Sequence, residues 1–249
     1  MSHFGAHLGQ EVPMYIEKKI PYIHLFEPQS EIFKELINKF KKYENCSFYN
    51  FALGNNDSLV NIYLEKTRKE SSSILKPANH LLLHPDIVFE GTEEIQIKKY
   101  DSLKIKDVNF LNIDIQGYEL EALKGCKYSL NHIDYIYTEI NNEEVYENCA
   151  HIKDLDLFLD SYGFIRVETV WWENLAWGDA FYIKKEYLNK NTLYFKKLIN
   201  FFLSFKLIHN LRKNKTVYAK IYLKNYKKLK FYLKNYKKYK QYLKKILDK

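Results

Sequence analysis

The hydrophobic residues of this chain alternate between short apolar runs and helical spacings over residues 1–186. An apolar run over residues 110–115 predicts a strand that is buried on both faces and ends at Asp114. Gly117 allows a sharp turn, and residues 118–124 predict a short helix that Gly125 ends in a left-handed conformation. Strands and helices in alternation predict an α/β domain.

The same periodicities predict the other elements of a mostly parallel sheet. Predicted helices cover residues 11–18, 30–40 and 152–162, and Ser30 is expected to cap the second. Predicted strands cover residues 22–26, 46–53, 60–64, 95–99, 133–140, 164–172 and 180–183, with 60–64 at an edge. The last two strands are expected to form an antiparallel closing hairpin, whereas residues 65–92 are expected to be a long loop.

Three acidic residues, Glu27, Asp114 and Glu139, end three of the predicted strands. Ligands of open α/β sheets lie beyond the carboxyl ends of the strands, so these carboxylates are expected to gather at one binding rim. An Asp at a strand end is also typical of a turn or a helix cap, and the pattern alone leaves that interpretation open.

Glycines and histidines supply further candidate residues. Gly5 and Gly9 lie in HFGAHLGQ, and Glu27 follows Gly5 by 22 positions, a spacing typical of a carboxylate that accepts ribose hydroxyls. His80 and His84 would share one face of a helix, but no further metal ligand is assigned and no metal site is predicted. They are interpreted either as ordinary surface residues or as groups that face a substrate.

Composition limits the class of protein. The chain has 249 residues and is 46% hydrophobic, which is enough for one sizeable core. Its three cysteines are far apart, which favours a reducing compartment over a disulfide framework. The sequence shows neither a secretory signal nor an apolar run long enough to span a bilayer, so a cytoplasmic location is expected.

The charge is concentrated in a basic C-terminal extension, residues 187–249. Residues 212–249 carry a balance of +14, which leaves −6 for the rest of the chain's net +8. A near-repeat, YLKNYKKLKF then YLKNYKKYKQ, predicts a helical or disordered segment. Three interpretations remain: a solvating extension, peripheral contact with an anionic membrane, and nucleic-acid binding, which is the least favoured.

Seven segments resemble the FkbM family of S-adenosylmethionine-dependent methyltransferases. In order they are GAHLGQ, LFEP, FALGN, SSSILKP, NIDIQGYELEALKG, YTEINNEEVY and WGDAFYIKK. The fifth is the most specific. The resemblance implies a Rossmann-like class I methyltransferase fold, whose first strand is truncated in this chain, and S-adenosylmethionine as cofactor.

The resemblance also implies roles for single residues. Those expected to bind the methionine end of the cofactor are Gly5, His7, Gly9 and Gln10. Glu27 would hold the ribose hydroxyls, while Asn50, Phe51 and Ala52 would lie near the adenine. Asp114 would face the reacting end. Two residues depart from the family pattern: His3 replaces a usual acidic residue, and Gln116 stands where Glu is common.

The expected reaction is attack of an acceptor oxygen on the sulfonium methyl group, assisted by a general base. Candidate bases are Asp114, His80, His84 and Glu139, of which Asp114 is favoured and His80 is second. The leading hypothesis is O-methylation of a sugar, a glycan or a related small acceptor. A second is a catalytically weakened methyltransferase fold that serves as a binding module through its basic tail. Nucleic-acid methylation is not favoured, because the sequence lacks an Asn/Asp-Pro-Pro-aromatic motif.

Overall fold

A computed structural model describes residues 1–67, 69–83, 85–172 and 175–189. Within these residues, seven strands form the main sheet. They are β1 (Ser2–Phe4), β2 (Ile23–Phe26), β3 (Cys46–Tyr49), β7 (Phe110–Ile113), β8 (Tyr135–Asn141), β9 (Phe164–Trp172) and β10 (Trp177–Lys184). Their order across the sheet is β3-β2-β1-β7-β8-β10-β9.

The first five strands in that order are parallel, and β10 is antiparallel to both of its neighbours. This confirms the predicted Rossmann-like sheet with a closing antiparallel hairpin. β1 has only three residues, yet it lies at the centre and pairs with both β2 and β7. The order of strands reverses at β1, and such a switch point is where open α/β sheets bind ligands.

Helices cover both faces of the main sheet. They are α1 (Val12–Glu17), α2 (Ser30–Phe40), α4 (Glu119–Lys124) and α5 (Ile152–Ser161). Leu123 of α4 and Leu155 of α5 pack with Phe4, Leu111 and Ile136 in the largest core cluster. The opposite face is partly polar: Tyr15 of α1 contacts His3 and Asn112 there.

A second sheet contains residues that were predicted to belong to the strand over 46–53 and to the loop over 65–92. Its strands are β4 (Ala52–Leu53), β5 (Ser58–Glu65) and β6 (Phe89–Lys98), in the order β4-β6-β5. The prediction of one strand over residues 46–53 was therefore wrong. Asn50 Nδ2 lies 3.0 Å from the carbonyl oxygens of both Glu27 and Pro28, and this bracing turns the chain out of the main sheet.

The described residues of the 65–92 segment include regular secondary structure as well as loop. They contain α3 (His80–Leu83) and the start of β6, and the backbones of Tyr63 and Ser73 bond to each other in both directions. The second sheet and these residues lie against the start of α2, where Glu93 accepts a hydrogen bond from the Ser30 backbone at 3.0 Å. Ser30 is the first helical residue and makes no side-chain cap, so its predicted capping role was wrong.

Gly125 was also predicted for the wrong reason. It does follow α4, but its φ is −77°, which is not left-handed. A Cβ at this position would overlap the carbonyl oxygen of Gly54, just after β4. Gly125 is thus needed for close backbone approach between α4 and the second sheet.

Residues 190–249 lie outside the described residues, so the predictions of a helical or disordered basic tail and of its membrane contact stay predictions. In the described part of the chain, no helix combines the length and the apolar character that crossing a bilayer requires.

We expect Gly125→Ala to lower the free energy of unfolding by about 2 to 3 kcal/mol, because the new methyl group must displace backbone. The matched control is Gly163→Ala, where the φ is +78° but no atom lies within 4 Å of the new Cβ. Its cost is about 1 kcal/mol of backbone strain. Urea denaturation compares the two, and equal losses would refute the close-approach explanation.

Candidate active site

A pocket opens beyond the carboxyl ends of β1, β2 and β7, at the switch point of the main sheet. It contains about 580 Å³ of empty space, including its opening to solvent. Its polar walls include Glu27 and Asp114, and its apolar walls include Phe26, Phe51 and Ile115. Of the residues predicted to bind a cofactor, those that line it are Gly5, His7, Glu27, Phe51, Ala52 and Asp114.

The turn after β1 brings the backbone close to the end of β7. Gly5 has a φ of +78°, and a Cβ there would overlap the carbonyl oxygen of Asp114. Gly9 has a different task and does not line the pocket: a Cβ there would overlap the Phe40 ring of α2. The first glycine therefore shapes the pocket floor, and the second allows the turn to pack against a helix.

Glu27 is buried at the rim, with 3% of its surface exposed. Its two carboxylate oxygens accept hydrogen bonds from the backbone N–H groups of His7 and Gln29, at 2.9 and 2.8 Å. Burial raises the pKa of Glu27 to about 7, although these two bonds oppose the rise. The carboxylate is thus held in place and changes its charge near neutral pH.

Gln10 and Asn50, also predicted to bind the cofactor, contact residues that line the pocket. Gln10 Nε2 lies 2.8 Å from His7 Nδ1, and Asn50 braces the backbone next to Glu27. Neither Gln10 nor Asn50 lines the pocket in the described structure. The Oε1 atom of Gln10 is buried and has no hydrogen-bond partner among the described residues.

Asp114 and Glu139 are brought together by one side chain, that of Gln116. Its amide nitrogen donates to Asp114 Oδ1 at 2.7 Å and to Glu139 Oε2 at 3.1 Å. Its amide oxygen accepts from the Tyr146 hydroxyl at 2.7 Å. Gln116 has a φ of +57°, so the turn that presents this amide is left-handed. The amide keeps two carboxylates adjacent while its own polar atoms are satisfied.

Glu119 fixes the turn that carries Gln116. It is buried, and its Oε1 accepts from the backbone N–H groups of Ile115 and Gly117 at 3.1 and 3.0 Å. Burial raises the pKa of Glu119 to about 7, and the nearby charge of Asp114 adds to the rise. The sequence reasoning missed this role, although the acid at the start of a helix next to a glycine turn was its signal.

The SSSILKP segment lies over the same turn. The Ser73 hydroxyl donates to the carbonyl oxygen of Gln116 at 2.6 Å, and the Ser71 carbonyl lies 3.0 Å from the Tyr146 hydroxyl. Burial raises the pKa of Tyr146 well above its usual value, and Glu139 and Asp114 raise it further, so the phenol remains a donor. Tyr146 and Ser73 were not predicted, because their partners are distant in sequence.

The predictions for His80 and His84 differ in outcome. His80 is buried and does not line the pocket; its ring packs against Tyr146 at 5.3 Å and Phe89 at 5.4 Å between centroids. His84 lies outside the described residues. The role of His80 as a base stays a prediction. Its ring contacts Tyr146, whose hydroxyl bonds to the Gln116 amide.

His3, the departure at the end of β1, is also buried away from the pocket. Its Nδ1 lies 3.2 Å from the Tyr15 hydroxyl, which accepts a hydrogen bond from Asn112 Nδ2 at 2.9 Å. The imidazole therefore belongs to a polar network between the sheet and α1.

Comparison with known proteins identifies the chain. The family model described as methyltransferase FkbM domain matches residues 3–166. The chain belongs to the FkbM methyltransferase family. Membership confirms the resemblance seen in the sequence and implies S-adenosylmethionine as the cofactor.

Individual relatives are more distant from this FkbM chain. The 2-O-methyltransferase NoeI of Sinorhizobium fredii is 26% identical over 99 residues, which cover 38% of this chain and 41% of that protein. The chain thus spans less than half the length of the curated relative that it matches.

Solved structures of methyltransferases are also similar. Magnesium protoporphyrin IX methyltransferase from Synechocystis, with bound S-adenosylmethionine, is 10% identical with a TM-score of 0.41, over 74% of this chain and 68% of that one. Aeropyrum pernix fibrillarin in complex with S-adenosyl-L-methionine is 11% identical with a TM-score of 0.42, over 73% of this chain and 65% of that one.

The residues present fit this cofactor. Glu27 lines the pocket with a carboxylate that would accept the ribose hydroxyls, and Phe26 and Phe51 line it with apolar rings that would contact an adenine. Neither His3 nor Gln10 lines the pocket, so the fit rests on Glu27 and the apolar walls.

We expect Tyr146→Phe to destabilise the protein by about 1 to 2 kcal/mol, since it removes the single O–H proton that lies within reach of Gln116 Oε1 at 2.7 Å and of the Ser71 carbonyl at 3.0 Å. Tyr128→Phe, at an exposed ring, is the control and should have no effect. Urea denaturation gives the free energies, and NMR of the Gln116 side-chain amide should show faster hydrogen exchange in Tyr146→Phe alone. An unchanged amide would mean that Tyr146 does not hold Gln116.

Proposed function

We propose that this chain is an S-adenosylmethionine-dependent O-methyltransferase that acts on a hydroxyl of a sugar, a glycan or a related small acceptor. One observation carries the proposal: Glu27 and Asp114 line the same pocket, and Gln116 joins Asp114 to Glu139. A carboxylate suited to binding and one suited to reaction thus line a single pocket.

The chemistry divides between the cofactor and the chain. When bound, S-adenosylmethionine supplies a methyl group on a good leaving group. Glu27 holds the ribose hydroxyls, and this fixes the position of the methyl group relative to Asp114. An acceptor hydroxyl is a weak nucleophile, so Asp114 orients it and takes its proton as the new bond forms. Gln116 holds the Asp114 carboxylate in place by donating to its Oδ1.

The choice of oxygen as the atom methylated is supported by a relative rather than by this pocket. NoeI is named a 2-O-methyltransferase, and its matched segment is 26% identical to this chain. The alternative, a weakened binding module, was motivated by His3. Since His3 belongs to the buried network with Tyr15, and the pocket keeps Glu27 and Asp114, this alternative is not favoured.

Cofactor affinity should depend on pH through Glu27. Its pKa is raised to about 7, so the carboxylate that accepts the ribose hydroxyls is mostly protonated at pH 6 and mostly ionised at pH 8. We expect the affinity for S-adenosylhomocysteine, measured by calorimetry, to rise about tenfold across this range. Glu27→Gln should bind weakly with no rise.

The control for this titration is Glu35→Gln, at an exposed position on α2 that should keep the wild-type profile. A rise of equal size in Glu27→Gln would show that another group controls the affinity.

Asp114→Asn should lose methyl transfer by at least about a hundredfold, because an amide cannot accept the acceptor's proton. Its affinity for S-adenosylhomocysteine should change by less than about threefold, since Glu27 and the apolar walls are intact. Turnover is measured with labelled S-adenosylmethionine and a set of methyl glycosides, and binding by calorimetry. Wild-type turnover in the variant would remove Asp114 from the mechanism.

A further inference from the structure

One face of the paired strands β8 and β10 carries a row of polar side chains beside the candidate active site. In the antiparallel register, Glu139 lies opposite Asp179 and Asn141 lies opposite Trp177. Alternate residues of a strand share a face, so Glu139 and Asn141 point to the same side. The Gln116 amide joins Glu139 to Asp114. The row therefore begins one hydrogen-bonded amide away from Asp114, and its own residues do not line the pocket in this conformation.

Asn141 has an unusual environment in this row. Only 1% of its surface is exposed, and neither its amide nitrogen nor its amide oxygen has a hydrogen-bond partner among the described residues. Leaving a buried polar group unpaired costs roughly 1 to 3 kcal/mol per group. The nearby amide of Gln116, by contrast, is satisfied at both ends. A side chain that is costly to keep, next to reacting carboxylates, indicates a ligand that pairs with it.

One indole ring lies across the strand pair from Asn141, and a second packs against the first. Trp177 is the cross-strand neighbour of Asn141, and the ring of Trp172 lies 6.3 Å from that of Trp177. Trp172 Nε1 donates to Asp179 Oδ2 at 2.8 Å, which fixes the orientation of both side chains. Trp177 belongs to the same apolar cluster as Tyr146, the residue that bonds to Gln116. An apolar wall thus stands beside the polar row.

We propose that Asn141, Glu139 and Asp179, with Trp172 as an apolar platform, form the acceptor subsite and that they recognise neighbouring hydroxyls of a pyranose ring. The inference rests on the proposed function and assigns acceptor-binding residues to it. Carboxylates accept hydrogen bonds from hydroxyls, and an amide pairs with one hydroxyl as donor and the next as acceptor. The C–H face of a pyranose matches an indole ring, as an amphipathic ring matches an apolar wall.

The chemistry of the row argues for hydroxyl groups over other ligands. An anionic ligand would meet two carboxylates, Glu139 and Asp179, and would be repelled. A purely apolar ligand would leave the Asn141 amide unpaired. Sites built to hydrogen-bond a hydroxyl reject analogues that lack it, because their buried polar groups then stay unsatisfied.

The test measures acceptor binding without turnover. The wild-type protein, saturated with S-adenosylhomocysteine, is titrated with the methyl α-pyranosides of glucose, galactose, mannose and rhamnose and followed by saturation-transfer NMR. Cyclohexanol is the probe with a similar ring and a single hydroxyl. We expect at least one glycoside to bind, and Asn141→Leu to weaken it at least about tenfold with unchanged affinity for S-adenosylhomocysteine.

Asn142→Leu, at the exposed neighbouring residue, is the matched control and should bind the glycoside as wild type does. Thermal stability separates recognition from structure. Asn141→Leu removes an unsatisfied amide and should unfold at the same or a higher temperature, whereas a structural role for the amide predicts a lower one.

Several outcomes would overturn the subsite. They are glycoside binding by Asn141→Leu equal to wild type, equal binding of cyclohexanol and the glycosides, or no glycoside binding to a wild-type protein that holds S-adenosylhomocysteine. If Asn141→Leu does not fold, Asp179→Asn takes its place, and unchanged glycoside binding there also overturns the subsite. Methyl transfer that persists when the subsite fails leaves the proposed function standing, whereas failure to bind S-adenosylhomocysteine removes both.

Discussion

The hydrogen bonds of one amide organise the reacting end of this molecule. Two adjacent carboxylates repel each other when both are ionised, and without a donor between them one would take up a proton or turn away. Gln116 Nε2 donates to both Asp114 and Glu139, which makes their proximity favourable without adding a positive charge. Because the amide oxygen is held by Tyr146, the side chain cannot flip without losing three hydrogen bonds.

Buried carboxylates also organise the backbone around the pocket. Glu27 and Glu119 each accept two backbone N–H groups at tight turns, where no strand or helix satisfies those donors. Burial raises the pKa of each to about 7, while the backbone hydrogen bonds favour the charged form and oppose this rise. The turns that shape the site are thus held by acids whose ionisation is close to balanced at neutral pH.

The sequence predicted the main sheet well because a strand buried on both faces leaves a clear apolar run, as at residues 110–113, and because parallel strands place their terminal acids at one edge. It failed where long-range contacts decide the local structure. Asn50 ends β3 by bonding to the backbone of Glu27, Glu93 from the second sheet satisfies the start of α2, and Gly54 dictates the glycine at position 125.

The candidate site was predictable to a similar degree. Glu27 and Asp114 could be placed from strand ends, since position in a strand fixes the edge to which a residue belongs. Gln116, Tyr146 and Asn141 could not be assigned their contacts, because an amide or a phenol gains its role from partners that only the folded chain supplies. Hydrophobic periodicity indicates which residues are buried, but it does not indicate which buried polar atoms form hydrogen bonds with each other.

Hydrogen bonds of the SSSILKP segment connect Glu27, through Gln29, with Gln116. Gln29 accepts from Ser72, and its backbone donates to Glu27, so one residue touches both the SSSILKP segment and the carboxylate assigned to the ribose. The same segment also contacts Gln116, whose backbone carbonyl accepts a hydrogen bond from the Ser73 hydroxyl. If binding beside either Glu27 or Gln116 stabilises this segment, thermodynamic linkage requires that it also favours binding beside the other.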